Sequence, residues 1–200
     1  MNETEEFWRG EFGDSYIARN RVDWRKRRDF WSKILSMTGA RSVFEVGCNA
    51  GWNMTAIQNA VYWKPEVYGC DVNVRAAEQA EAAGFPIYIG SLVEDQIPCE
   101  LVFTSGVLIH IPPEEITTMM QKIIDASSDY VLAIEYESEH EQEVEYRGHS
   151  GKLWKRPYGN MYELMGLTLI DNGELTKADG FDDCQWWLFW KSDNAVNAPK

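Results

Sequence analysis

The chain has 200 residues with a formal net charge of −13, and 44% of them are hydrophobic against 26% charged. That length supports one substantial apolar core but not two catalytic-sized domains, and the composition is that of a soluble globular protein rather than a disordered or fibrous one. No apolar run reaches membrane-spanning length, the acidic and aromatic opening MNETEEFWRGEFGD is unlike a secretory signal, and the charge opposes a polyphosphate backbone. The expected setting is therefore the cytoplasm, without membrane or nucleic-acid partners.

Between Trp24 and Met37 the apolar residues Trp24, Phe30, Trp31, Ile34 and Leu35 recur at helical spacing, and Gly39 closes the segment as a C-terminal cap. SVFEVG at 42–47 reads as a strand, and WNMTAIQNAVYW at 52–63 as a helix ending before Pro65. The alternation continues with strand VYGCDV at 67–72, helix VRAAEQAEAAG at 74–84 and strand PIYIG at 86–90. Strand LVFTSGVL at 101–108, helix PPEEITTMMQKIIDAS at 112–127 and strand YVLAIEYE at 130–137 follow. Such alternation predicts an α/β fold, a mainly parallel sheet with helices on both faces.

The rhythm breaks at the polar segment 137–160, too long for an ordinary connection and expected to be a functional flap or a flexible insert. LTLIDNGEL at 167–175 and CQWWLFWKS at 184–192 then read as an antiparallel pair turning around Gly180. A single domain over 1–200 is expected, with an N-terminal helical lid at 1–38, a core at 39–136, the flap at 137–160 and the rest of the sheet at 161–200. Cys48, Cys70, Cys99 and Cys184 form no Cys-x-x-Cys pair and read as reduced thiols. The run Glu137, Glu139, Glu141, Glu143 and Glu145 has no accompanying ligand set and reads as a solvated acidic loop rather than a metal site. Trp186, Trp187, Phe189 and Trp190 read as strand residues in preference to a sugar-stacking platform.

In an open α/β sheet, ligands sit beyond the carboxyl ends of the strands. The loop Glu45-Val46-Gly47-Cys48-Asn49-Ala50-Gly51 lies at such a place, its glycines permitting a sharp turn and close approach of a ligand. Glu45 can accept a hydrogen bond from an ammonium group, and Asp71 can accept both hydroxyls of a ribose. A nicotinamide site would need Gly-x-Gly-x-x-Gly, and from Gly47 its other glycine positions hold Asn49 and Trp52.

The segment E-V-G-C-N-A-G resembles the acidic-x-Gly-x-Gly-x-Gly loop of class I S-adenosylmethionine (SAM)-dependent methyltransferases. Asn49 stands where that family usually has its middle glycine, so a wider loop or a positive φ, which asparagine tolerates, is expected there. The resemblance implies a Rossmann-like, mainly parallel seven-stranded sheet with an antiparallel final strand, and SAM as cofactor. It implies that Gly47, Cys48, Asn49 and Gly51 line the methionine part, with Asp71 and the adjoining Val72 at the ribose and Ser91 and Leu92 at the adenine. LVFTSGVLIHIPP resembles the family's fourth-strand motif and places Ser105, Gly106 and Val107 beside the cofactor. An aspartate is commoner in the family than Ser91.

FWRGEFGDSYIARN at 7–20 and YRGHSGKLWKRPYG at 146–159 resemble the group of pseudaminic-acid-biosynthesis-associated methyltransferases. That resemblance implies an acidic sugar or its activated precursor as acceptor. Tyr16 and Arg19 can reach the methionine carboxylate from a lid; the alternative is an aromatic helix on the core with a solvated arginine. If the acceptor carries a proton, His110 and His149 are the candidate bases, the alternatives being a loop histidine satisfied by backbone and an exposed one. Arg147, Lys155 and Arg156 can bind a carboxylate or phosphate of the acceptor. The function expected is methyl transfer to oxygen or nitrogen of a small anionic sugar-related metabolite; the alternative is a non-catalytic SAM-binding or interaction module. Neither the acceptor nor the oligomeric state is readable.

Overall fold

A computed structural model of the chain describes residues 3–92 and 98–191. The expected strand end at Ser192, the polar connection at 93–97 and the two N-terminal residues of the expected lid lie outside the described residues. Among those described, no helix is long and apolar enough to cross a membrane. The chain divides into two compact units, one reaching to Leu92 and including Thr176–Asp182, the other made of the remainder. Seven of the strands belong to a mostly parallel seven-stranded sheet.

The first unit opens with two short helices, α1 (Glu3–Arg9) and α2 (Glu11–Arg19), then a 3₁₀ turn at Trp24–Arg27 and α3 (Arg28–Thr38). Phe30, Trp31, Ile34 and Leu35 form the buried stripe of α3, and Gly39 ends it at φ 66°. β1 (Ser42–Val46), α4 (Trp52–Gln58), β2 (Glu66–Asp71), α5 (Val74–Ala82) and β3 (Ile87–Ile89) follow. β1 pairs in parallel with β2 from Ser42↔Glu66 to Val46↔Cys70, and β2 with β3 from Gly69↔Ile87 to Asp71↔Ile89.

The second unit contains β4 (Cys99–Ser105), a 3₁₀ turn at Leu108–His110, α6 (Ile116–Ala126) and β5 (Ser127–Glu135). A small hairpin of β6 (Gln142–Glu143) and β7 (Trp154–Lys155), then α7 (Tyr158–Leu164), β8 (Thr168–Leu175) and β9 (Cys184–Trp190) complete it. β4 and β5 are parallel, whereas β9 runs antiparallel to β5 and to β8. The final strand is thus the antiparallel one, and Trp186, Trp187 and Phe189 are buried within it.

Several boundaries differ from the sequence reading: the helix expected from Trp24 begins at Arg28 after a 3₁₀ turn, α6 begins at Ile116 instead of Pro112, β5 takes Ser127–Glu135 instead of 130–137, and three further differences have a visible cause. α4 ends at Gln58 instead of Trp63, because Asn59 turns its amide back onto the Thr55 carbonyl and Gln58 reaches the Pro65 carbonyl. The chain then leaves the helix, and Trp63 donates to Ala40 O at 3.3 Å. β4 stops at Ser105 instead of Leu108, since Gly106 takes φ 68° and the next three N–H groups turn toward a carboxylate. The third of these is α7, which crosses the expected end of the flap at residue 160.

Gly159 fixes the position of α7: a Cβ there would lie 2.6 Å from Trp187 Nε1 on β9. Gly159→Ala is expected to lose on the order of 1–3 kcal/mol by overpacking, despite alanine's better helix propensity. Urea denaturation checks this; an unchanged or raised midpoint contradicts the close packing.

Candidate functional site

β1 is buried along its length, as expected of a parallel strand covered on both faces, yet its penultimate residue is Glu45. The carboxylate is 2% exposed. Oε1 accepts from Asn53 Nδ2 at 2.7 Å on α4, while Oε2 has no hydrogen-bond partner among the described residues. Asn53 is itself held by Arg27 Nη1 at 2.8 Å and Trp31 Nε1 at 3.3 Å, both on its Oδ1. Burial pushes the Glu45 carboxyl up to about 8, opposed by the Asn53 hydrogen bond and the Arg27 charge. A buried carboxylate oxygen without a donor is costly unless something supplies one.

The following loop has three left-handed residues, Gly47 at φ 69°, Asn49 at 49° and Gly51 at 74°. Asn49 therefore takes the positive φ expected of it, and its Oδ1 accepts the Ala50 N–H at 2.7 Å. Cys48 is buried, its Cβ within 3.0 Å of where a side chain on Gly69 would begin. Burial drives its thiol well above the usual range, so the sulfur stays protonated.

Asp71, at the end of β2, is the junction of this unit. Its Oδ2 accepts the Asn49 N–H at 2.8 Å, its Oδ1 the Asn73 N–H at 2.8 Å, and its backbone carbonyl the Gly90 N–H at 2.9 Å. Val72 stands half-buried between these contacts, and Ser91 and Leu92 follow Gly90 directly. Each carboxylate oxygen keeps acceptor capacity for a ribose hydroxyl.

Asn73 and Gly13 belong to this region and were missed by the sequence reading, because their partners lie about sixty residues away. Asn73 Nδ2 donates to Trp8 O at 3.1 Å and Asp14 Oδ1 at 3.0 Å, tying α1 and α2 to the start of α5. The rings of Trp8 and Tyr16 meet edge-to-face at 5.3 Å, and the exposed Arg19 lies 5.1 Å over the Phe12 ring.

In the second unit, Ser105, Gly106 and Val107 form the turn after β4. Glu135, fully buried at the end of β5, organises it: Oε1 accepts Val107 N at 3.2 Å and Leu108 N at 3.1 Å, and Oε2 accepts Ile109 N at 3.4 Å. Burial raises this carboxyl to about 7, against the lowering effect of those donors. Nothing in the local sequence marks Glu135, since its carboxylate acts on residues 26 to 28 positions earlier.

His110 is buried, and its Nδ1 lies 2.6 Å from Lys152 O. A carbonyl only accepts, so Nδ1 carries the proton and Nε2 is the unprotonated nitrogen of the neutral ring. Burial pushes its pKa down to about 4. Tyr146 packs 5.0 Å from the imidazole. β6 and β7 form a hairpin whose tip, Tyr146 to His149, closes with Arg147 at φ 52° and Gly148 at φ 83°, two successive left-handed residues as in a type I′ turn. His149 and Arg147 are exposed there, and Lys155 is half-buried, 6.0 Å over the Tyr136 ring.

Arg156, expected to bind a carboxylate or phosphate, is buried, and its Nη2 has no hydrogen-bond partner among the described residues. It is 1% exposed, and Nε donates to Glu141 at 2.6 Å while Nη1 reaches Leu108 O at 3.2 Å and Tyr158 Oη at 3.4 Å. Its partners within the fold make it a pin between the hairpin and the turn after β4. Among the described residues no group of three or more His, Cys, Asp or Glu is placed to hold a metal.

No known family matches the sequence, and no curated protein matches it. Solved structures do resemble it in fold. One is magnesium protoporphyrin IX methyltransferase from Synechocystis PCC 6803 with bound S-adenosylhomocysteine (SAH), TM-score 0.72 at 14% identity, covering 94% of this chain and 98% of that one. Another is 1,6-didemethyltoxoflavin-N1-methyltransferase from Burkholderia thailandensis, TM-score 0.74 at 14% identity over 96% and 92%. A third is a sugar N-methyltransferase from Streptoalloteichus, TM-score 0.66 at 12% identity over 91% and 93%. The chain has the class I methyltransferase fold.

The buried acids set a pH signature. Glu45 and Glu135 keep protons in the folded state that the unfolded chain releases above about 4.5, so their stabilisation is full below 4.5 and is lost as the pH rises through about 7 and about 8. His110, lowered from 6.5 to about 4, acts oppositely, adding stability above 6.5 that is lost as the pH falls through about 4. From pH 6.5 to 8 only the loss remains among these three groups. The ligand-free protein is expected to lose several degrees in Tm across that window, at roughly 2–4 °C per kcal/mol for a chain of this size. Glu45→Gln flattens the drop; a Tm that rises from pH 6.5 to 8 contradicts the buried, protonated Glu45.

Proposed function

We propose that this protein is a SAM-dependent methyltransferase acting on oxygen or nitrogen of a small, anionic, sugar-related metabolite in the cytoplasm. The observation that carries the cofactor reading is Glu45 Oε2, a buried carboxylate oxygen without a donor at the head of a loop with three left-handed residues. An α-ammonium group supplies the missing donor, and Asp71 accepts the ribose hydroxyls without surrendering its bonds to Asn49 and Asn73. When bound, SAM supplies a sulfonium methyl group open to in-line displacement.

Within this reading, Gly47, Asn49 and Gly51 admit the methionine part close to the backbone, with Tyr16 and Arg19 toward its carboxylate. Ser91 and Leu92 border the adenine, and the Glu135-capped turn presents Ser105, Gly106 and Val107. The protein mainly contributes alignment and exclusion of water. His110, neutral with Nε2 unprotonated, can receive a proton from a hydroxyl or amine as the methyl group transfers. His149 is the exposed second candidate. Arg147, Lys155 and Arg156 are the cations toward an anionic acceptor, Arg156 offering its buried Nη2 while Nε and Nη1 hold the hairpin. The sugar-related acceptor rests on the segments at 7–20 and 146–159.

Binding of an ammonium to Glu45 requires its carboxylate, so SAH binding at pH 7 is expected to release up to one proton, the site being largely protonated beforehand. Glu45→Gln abolishes that release and weakens SAH by about tenfold, on the scale of one charge-assisted hydrogen bond. Calorimetry in buffers of different ionisation enthalpy reads both quantities; absence of SAM and SAH binding overturns the reading. Methyl-labelled SAM with nucleotide sugars and cell-extract fractions tests turnover. Binding without labelled product across these acceptors is the behaviour of a non-catalytic SAM-binding module.

A further inference from the structure

The lid and the ribose carboxylate meet at one side chain. Asn73 is 4% exposed, and every polar group it carries is engaged within the first unit. Its N–H donates to Asp71 Oδ1 at 2.8 Å, and its Oδ1 caps α5 by accepting Ala76 N at 2.9 Å. Its Nδ2 donates to Trp8 O at 3.1 Å and to Asp14 Oδ1 at 3.0 Å. Trp8 O is a carbonyl in the last turn of α1, one of those a helix leaves for an outside donor.

A cap alone would need only the oxygen of this amide. The nitrogen is spent wholly on the N-terminal helices, and the fit around it admits nothing larger than glycine. A Cβ on Gly13 of α2 would lie 1.8 Å from Trp8 O and 2.8 Å from Asn73 Nδ2. Arg75 of α5 adds an outer contact, Nε to Asp14 Oδ2 at 3.2 Å, with its own side chain 70% exposed. The aromatic cluster of Phe7, Trp8, Phe12 and Tyr16 sits on the same two helices that this junction ties down, two residues from Asp71.

We propose that Asn73 is a positioning residue that couples the α1–α2 lid to cofactor binding: the residue that latches the lid also orients, through its N–H, the carboxylate that takes the ribose. This rests on the SAM reading above. A ligand that fixes Asp71 then fixes Asn73 and the lid with it, and by reciprocity a docked lid strengthens ligand binding by the same factor. A cap without coupling would stabilise α5 and leave ligand binding and lid order independent.

Asn73→Asp separates the two roles. The aspartate keeps an acceptor for Ala76 N–H, so α5 stays capped, but it replaces both donors to the lid and faces the Asp14 carboxylate. Gly13→Ala displaces the lid by an independent route, and Arg75→Ala removes only the outer contact. Hydrogen exchange at residues 3–19 and 74–82, with and without SAH, reads lid and cap separately, and calorimetry reads SAH affinity. In the wild type, SAH is expected to slow exchange in the lid. In Asn73→Asp and Gly13→Ala, lid exchange rises without SAH, the SAH-induced protection is lost and SAH binds about tenfold more weakly, a usual size for coupling between sites. Arg75→Ala should bind SAH as the wild type does. Unchanged lid exchange in Asn73→Asp overturns the latch, and a faster-exchanging lid with unchanged SAH affinity overturns the coupling. If the wild type binds neither SAM nor SAH, the cofactor reading falls and the coupling with it, while lid exchange in the variants still decides whether Asn73 is a latch.

Discussion

Asp71 gathers three separate pieces of chain onto one residue. Its two carboxylate oxygens hold the N–H of Asn49 in the loop after β1 and of Asn73 at the start of α5, and its carbonyl holds Gly90 after β3. Three strand ends in parallel array leave their loops without backbone partners at the same edge, and a buried polar backbone group must find one. One carboxylate at the central strand of the first unit meets that need for its neighbours on both sides. The position of the glycine loop, the entry to α5 and, through Asn73, the seating of α1 and α2 all follow from this residue.

Glu135 applies the same solution within the second unit. Its carboxylate collects three consecutive N–H groups after β4 and so converts the expected continuation of the strand into a 3₁₀ turn. Glu45 is different in kind. Among the described residues it receives one amide donor from Asn53 and no backbone N–H, which leaves Oε2 without a partner. A structural cap would be satisfied within the fold, as Glu135 is. An acid kept buried and incompletely paired is better suited to a cationic group arriving from outside.

Much of this was legible in the chain. Buried parallel strands write themselves as short apolar runs, and the order of strands and helices and the antiparallel end could be read from spacing and residue type, while the family resemblance offered a positive φ at Asn49 as one of two alternatives. What could not be read depends on long-range pairing. Nothing near Asn73 or Glu135 announces their partners, and the length of α4 was decided by Asn59 and by Trp63 reaching Ala40. The polar segment 137–160 reads as a functional flap or a flexible insert because it is too long for an ordinary connection. Its order comes from Lys152 O on His110 and from Arg156, an arginine whose sequence neighbours give no hint that it is buried. Charge in a loop indicated an anion contact, and the structural role of the same residue could not be read beside it.

The most direct measurement of the central claim is a crystal structure of the protein with SAH. The amino group of SAH is expected within hydrogen-bond distance of Glu45 Oε2, with both ribose hydroxyls on Asp71 and the Asn49 and Asn73 N–H bonds to that carboxylate intact. SAH seated elsewhere, or at this loop with Glu45 Oε2 still lacking a donor, would contradict that claim.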